Sequence, residues 1–159
     1  MNNIESYNYM LQPGYIFFSK EPALISTVLG SCISVALYDS SCKFGGMNHY
    51  KLPVPPTHDE STALYGIPAI YQLVYILLSN GSKVENLKAQ IFGGASNPYF
   101  SNNVGEANIE IAEKMINKYK IKIISRDTGG ELGRKIIFNT FTGEAMIAKV
   151  EKLRQNDWL

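Results

Sequence analysis

STVLGSCISVALYD runs from Ser26 to Asp39, and GGMNHYKLP follows from Gly45 to Pro53. In the first stretch Ile33, Val35 and Leu37 alternate with Ser34, Ala36 and Tyr38, the period of a half-buried strand. Gly30 and Ser31 separate that alternation from an earlier apolar run, ALISTVL, which suits either a strand or the first turns of a helix. Asp39-Ser40-Ser41 and Gly45-Gly46 bracket a turn region, and MNHYKL then heads into Pro53. If Ile33 to Tyr38 and Met47 to Lys51 are adjacent strands joined across that turn, Cys32 and His49 lie near the same end.

Working outward, Pro13-Gly14 punctuates the start and YIFFS, Tyr15 to Ser19, reads as a strand. The prolines of PVPPTHDEST, Pro53 to Thr62, remove donors and fix φ, so this is a surface loop. From Ala63 to Ser79 the positions Ala63, Ile67, Ile70, Val74, Leu77 and Leu78 fall at helical spacing, with Asn80-Gly81 as the stop. Leu87 to Phe92 reads as a strand ending at Gly93-Gly94. Asn103 and Glu106 suggest a capping box opening a second long helix, with Ala107, Ile111, Met115 and Tyr119 on one face. IKIIS, KIIFN and EAMIAKV close the chain as three strands separated by DTGGELGR and Thr142-Gly143. Helices set among strand groups, with short late connections, favour mixed sheets over purely parallel ones.

The 159 residues suit one domain, residues 1–159, large enough to hold a core without disulfides. Net charge is +1 with 18% charged residues and no Lys/Arg block, which argues against a phosphate-backbone partner. MNNIESYNYM lacks the features of a secretory signal, and IPAIYQLVYILL, Ile67 to Leu78, is too short to span a bilayer and reads as a buried helix. The cytoplasm is the expected compartment, where Cys32 and Cys42 stay thiols. Cys32, Cys42, His49 and His58 lack the paired spacings of a zinc site, and neither nucleotide-binding glycine motif occurs, so no metal or cofactor is expected.

Cys32 admits two readings. Free cysteine is commonly a small buried hydrophobe. Here, however, Gly30 permits a tight backbone approach, and N–H groups at such a turn could depress the thiol pKa and cradle an oxyanion. His49 offers a base that would raise the thiolate fraction. His58, beside Asp59 and Glu60 in the proline-rich loop, reads as solvated, and Cys42 lies in a polar turn without a chemical role. Asp127-Thr128-Gly129 resembles the aspartic protease triplet, but Gly129, Gly130 and Gly133 are as well explained by a turn needing positive φ.

Taken in order, PGYIFFS, STVLGSCISVALYD, GGMNHYKLP, ALYG, FGGA, VGEAN and DTGGELGRK resemble the chemoreceptor glutamine deamidase family, CheD, over nearly the whole chain. The resemblance implies an α/β layered sandwich of mixed β-sheets with outer helices, shared with cysteine-dependent toxin deamidases. It implies a cysteine nucleophile at Cys32, a histidine at His49 and, by strict spacing, the histidine-holding threonine at Ser26. Serine keeps the hydroxyl but loses the methyl that restricts χ1, so adjacent Thr27 is the other candidate for that role. SNPYFSNN, Ser96 to Asn103, departs from the loop expected there.

The implied activity is conversion of glutamines on chemoreceptor cytoplasmic helices to glutamate, through a thioester and with loss of ammonia. A CheC-type phosphatase is an implied partner, with Phe92, Tyr99 and Phe100 as candidates for its docking patch. The competing function is a non-enzymatic module that binds and regulates such a phosphatase. A cysteine hydrolase of receptor glutamyl methyl esters would use the same residues.

Overall fold

In the computed structural model, which describes residues 7–99, 103–151 and 153, the chain forms strands and helices in an α/β order. The elements are β1 (Tyr7–Met10), β2 (Ile16–Ser19), β3 (Ala23–Leu29), β4 (Ile33–Asp39), β5 (Phe44–Asn48), α1 (Gly66–Ser79) and β6 (Leu87–Gly93). They continue with α2 (Val104–Lys118), β7 (Lys122–Thr128), β8 (Gly133–Asn139) and β9 (Ala145–Val150). One sheet has the order β2-β5-β4-β6-β7 and the other β1-β3-β8-β9. Each is mixed, with one parallel pair, β6–β7 and β1–β3 respectively.

Side-chain alternation along β4 divides the interior into two layers. Ile33, Val35 and Leu37 face Leu73 and Leu77 of α1 and Ala112 and Ile116 of α2. Cys32 and Ala36, with Met47 and Phe92, face Ile25, Leu29, Ile136 and Phe138 of the four-stranded sheet. Both helices therefore pack on the five-stranded sheet, and that sheet is covered on both faces. The far face of the four-stranded sheet presents Met146 and Ile137 to solvent.

Several elements differ from the sequence reading. ALISTVL, which the sequence left open between strand and helix, is a strand, with Ala23, Ile25, Thr27 and Leu29 buried and the residues between them half-buried. Tyr7–Met10 adds a short edge strand, whose Tyr9 stacks on Phe17 at a centroid distance of 4.2 Å. Gly45 and Gly46 belong to β5 and not to the turn, which spans residues 40–43. A Cβ on Gly45 would strike the Leu37 carbonyl and crowd Phe138, and one on Gly46 would strike the Phe17 carbonyl and crowd Leu73. Their want of side chains lets β5 pass between the two layers.

Helix α1 begins at Gly66, later than Ala63, because Tyr65 still bridges Leu52 in extended conformation. Pro68 falls in the first turn, where its missing N–H leaves no helical bond unmade. One face of α1 is buried; the opposite face exposes Tyr71 and Tyr75. Asn103 is the N-cap of α2 but makes no side-chain capping bond, so the expected capping box is not formed. The buried face of α2 is Gly105, Asn108, Ala112, Met115 and Ile116, rotated from the predicted stripe because two of its members are not apolar. No helix among the described residues is long and apolar enough to cross a membrane.

Candidate active site

The β4–β5 hairpin is extended past the end of β5 by a bridge between Ile33 and Tyr50. Ile33 N–H donates to the Tyr50 carbonyl at 3.1 Å, and Tyr50 N–H to that of Ile33 at 2.9 Å. The register of the hairpin, Ala36 opposite Met47, is the same as that of the bridge. It sets Ser34 opposite His49 and Cys32 opposite Lys51. Cys32 and His49 are thus diagonal neighbours on one face of the hairpin: Cys32 packs in the inter-sheet layer, and His49 meets Thr27 of the other sheet there. Each residue is only 3% exposed.

The imidazole is held from across the layer. Thr27 Oγ1, on β3, lies 2.7 Å from His49 Nδ1 and donates its proton to the Leu11 carbonyl at 2.8 Å. A hydroxyl has one proton, so the Nδ1 side of the ring is the donor to Oγ1 and Nε2 carries the lone pair. Nε2 is buried and has no hydrogen-bond partner among the described residues. Ser26 does not take this place. It lies on the opposite face of β3, half-buried, with its hydroxyl 3.7 Å from Met10 Sδ. Successive strand residues face opposite ways, so of two adjacent hydroxyls only Thr27 faces His49.

Burial dominates the electrostatics. Desolvation pushes the Cys32 thiol up to about 11, against the opposing pull of the Lys51 ammonium and the residue's own backbone N–H. The turn N–H groups therefore do not produce the depressed pKa that the sequence suggested. Desolvation, then the Lys51 charge, lowers His49 to about 4, while the Leu11 carbonyl acts in the other direction. At neutral pH the resting pair is a neutral thiol beside a neutral imidazole.

The turn bearing Cys32 is gripped by the end of β6. Gly94 N–H donates to the Cys32 carbonyl and Ala95 N–H to that of Gly30, both at 2.9 Å. Gly93 and Gly94 take φ of +105° and +73° there, and a Cβ on Gly93 would collide with the Cys32 carbonyl. Asn108 of α2 donates its Nδ2 protons to the carbonyls of Ser31 and Lys51. Sequence reading assigned Asn108 no role, although it closes the VGEAN stretch that carries part of the family resemblance.

A family described as CheD chemotactic sensory transduction matches residues 52–149. The chain is 38% identical over 150 residues to "Probable chemoreceptor glutamine deamidase CheD" of Trichlorobacter lovleyi, covering 92% of this chain and 93% of the relative. It is 40% identical over 141 residues to the protein of the same name from Sulfurimonas denitrificans, covering 86% and 90%. A third relative, "Probable chemoreceptor glutamine deamidase CheD 1" of Anaeromyxobacter dehalogenans, is 37% identical over 143 residues, covering 88% and 83%. The chain belongs to the CheD family. The family span begins after Cys32 and His49, but an alignment covering 92% of the chain includes both positions.

Other residues singled out in this CheD family member lie elsewhere. His58 sits in an exposed 3-10 turn of the proline-rich loop. Cys42 is an exposed free thiol, and its turn is closed by Ser41 and Cys42 N–H groups donating to Asp39 Oδ1 at 2.8 and 3.0 Å. Asp127 pairs with Arg134 at 3.1 Å and ties β7 to β8, between the two sheets. Gly129 and Gly130 turn there at positive φ. Phe92 is fully buried in the inter-sheet core and is withdrawn as a docking residue; Tyr99 is exposed, and Phe100 lies outside the described residues. Among the described residues no three His, Cys, Asp or Glu side chains gather as a metal site.

Proposed function

We propose that this chain is a protein-glutamine deamidase acting on the cytoplasmic helices of chemoreceptors, with Cys32 as nucleophile, His49 as acid and base, and Thr27 as the residue that positions the imidazole. The observation that carries this reading is His49 Nε2: a buried lone pair without a partner among the described residues, on the face it shares with Cys32, behind which Nδ1 is held by Thr27. A buried acceptor left unmade costs about 1 to 3 kcal/mol, which a site retains where a proton is to be moved. The names of the relatives supply the substrate class.

As the Cys32 sulfur forms a bond with the side-chain carbonyl carbon of a receptor glutamine, its proton passes to Nε2. The imidazolium returns that proton to the amide nitrogen, the C–N bond breaks, and ammonia leaves behind a thioester. A water molecule then gives a proton to Nε2 and attacks the same carbon; the C–S bond breaks, the thiol is reprotonated and glutamate is released. Because both groups rest neutral, the proton moves from Cys32 to His49 as the sulfur attacks. Each turnover puts one negative charge on a packed receptor helix and so shifts its conformational populations.

Two mixed sheets with a cysteine entering the inter-sheet layer support the kinship with cysteine-dependent toxin deamidases. One five-stranded sheet shared by both cores supports a single domain.

The test is mass spectrometry of a chemoreceptor cytoplasmic fragment after incubation with the wild type or with Cys32→Ala. Glutamine-to-glutamate conversion by the wild type alone is the expected result. If neither protein converts the fragment while both bind a CheC-type phosphatase, the interaction module replaces the enzyme.

A further inference from the structure

We propose that Asn108 is a positioning residue that sets the Cys32 turn against the His49 strand; this rests on the deamidase reading above. The residue is wholly buried on α2, at a place where Ala112 and Ile116 continue the same face with apolar side chains. Its Nδ2 donates at 2.9 Å to the carbonyl of Ser31, immediately before Cys32, and at 2.9 Å to that of Lys51, two residues beyond His49. Its own backbone carbonyl accepts the Tyr50 hydroxyl at 2.6 Å. One residue thus makes three hydrogen bonds to the two segments that carry the thiol and the imidazole.

The amide orientation follows from the acceptors. Rotating the group would bring Oδ1 against two carbonyl oxygens, so Nδ2 faces them and Oδ1 is left buried without a partner among the described residues. An apolar residue would spare that orphan acceptor but would forfeit both donors. The peptide unit is planar, so holding the Ser31 carbonyl also fixes the direction of the Cys32 N–H, the group that acts on the sulfur. The start of α2 is anchored nearby: Gly105 sits where a Cβ would strike the carbonyls of Gly94 and Ala95, and those two residues grip the same turn. Asn108 therefore transmits a rigid helix position to both reacting side chains.

The test uses full-length protein in a Cys42→Ser background, so that Cys32 is the remaining thiol. Deamidation of the receptor fragment and the rate of Cys32 alkylation by iodoacetamide across pH are compared for the parent, Asn108→Ala, Asn108→Ser and Ile116→Val. The expected result for Asn108→Ala is a kcat lower by about 10- to 100-fold with little change in KM, as for a small misplacement of reacting groups. Its alkylation pH profile should be displaced from that of the parent. Asn108→Ser, which keeps one donor, should fall between. Ile116→Val, a cavity on the same helix, should lower the melting temperature without moving kcat or the alkylation profile.

Wild-type kcat and alkylation in both Asn108 variants, with only the melting temperature lowered, would overturn the proposal, as would a rise in KM alone. A parent that alkylates but never deamidates would sink the deamidase reading, while the alkylation profiles still decide the role of Asn108. Independently of any variant, the wild-type Asn108 side-chain amide protons should exchange with solvent as slowly as core backbone amides. Fast exchange would refute the clamp.

Discussion

The two faces of the five-stranded sheet do different work with alternating residues of the same strands. Toward the helices, Ile33, Val35 and Leu37 meet an apolar layer of Leu73, Leu77, Ala112 and Ile116. Toward the other sheet, Cys32 enters a layer that ends in His49 and Thr27, where a ring nitrogen is left without a partner among the described residues. Residues 32 and 33 are adjacent in the chain yet belong to opposite faces. Stability and chemistry are thus separated by strand parity and not by distance along the sequence.

Substitutions at that pair make the sharpest test. Cys32→Ala should abolish glutamine conversion, read by mass spectrometry, while the protein melts cooperatively as before. Ile33→Ala should do the reverse: a loss of about 2 to 5 kcal/mol in urea unfolding, from a large-to-small change in a packed layer, with the turnover of folded molecules retained. Loss of folding in Cys32→Ala would erase the distinction and return the thiol to core packing.

The two hydroxyls of β3 offer a second comparison of the same kind. Thr27→Val keeps the shape but removes the oxygen that holds Nδ1, and should lower kcat by about 10- to 100-fold. Ser26→Ala, on the other face, should leave kcat unchanged. Equal effects at both positions would break the parity account.

A third prediction concerns pH. With His49 held near 4, the base of the free enzyme stays unprotonated far into acid, so kcat/KM should not fall between pH 8 and pH 5.5. An acid limb centred near the ordinary histidine value of 6.5 would show a solvated ring. The same lowered value acts on stability. The unfolded chain protonates this histidine near 6.5 and the folded chain near 4, so as pH falls between those values the unfolded state binds more protons and stability is lost. The loss is on the order of 3 kcal/mol when complete. His49→Gln should remove that part of the acid sensitivity, seen as a smaller drop in urea midpoint between pH 7 and pH 4.5.

Much of this arrangement was legible in the residues. The alternation at Ile33–Tyr38, the turn after Asp39 and the approach to Pro53 foretold the hairpin that brings Cys32 and His49 to one end. Other features were hidden for specific reasons. In ALISTVL both parities carry apolar residues, Leu24 and Val28 on one and Ile25 and Leu29 on the other, so the inner face could not be chosen from the pattern. Gly45 and Gly46 carry turn composition, and only the crowding of Leu37, Phe138, Phe17 and Leu73 around them makes them strand residues. Asn108 is polar, so it drops out of a hydrophobic stripe although it is wholly buried.

By itself the sequence determined most of the strands, the turn after Asp39 and the two helices, and it carried the cysteine and histidine together on one hairpin, because alternation and turn chemistry act between neighbours. The tertiary structure alone decided that Thr27 and not Ser26 meets the imidazole, that burial leaves the thiol and the ring neutral, and that α2 reaches both through Asn108. Those outcomes depend on which face of a strand a second layer covers, and that is settled only when the two sheets and the helices pack together.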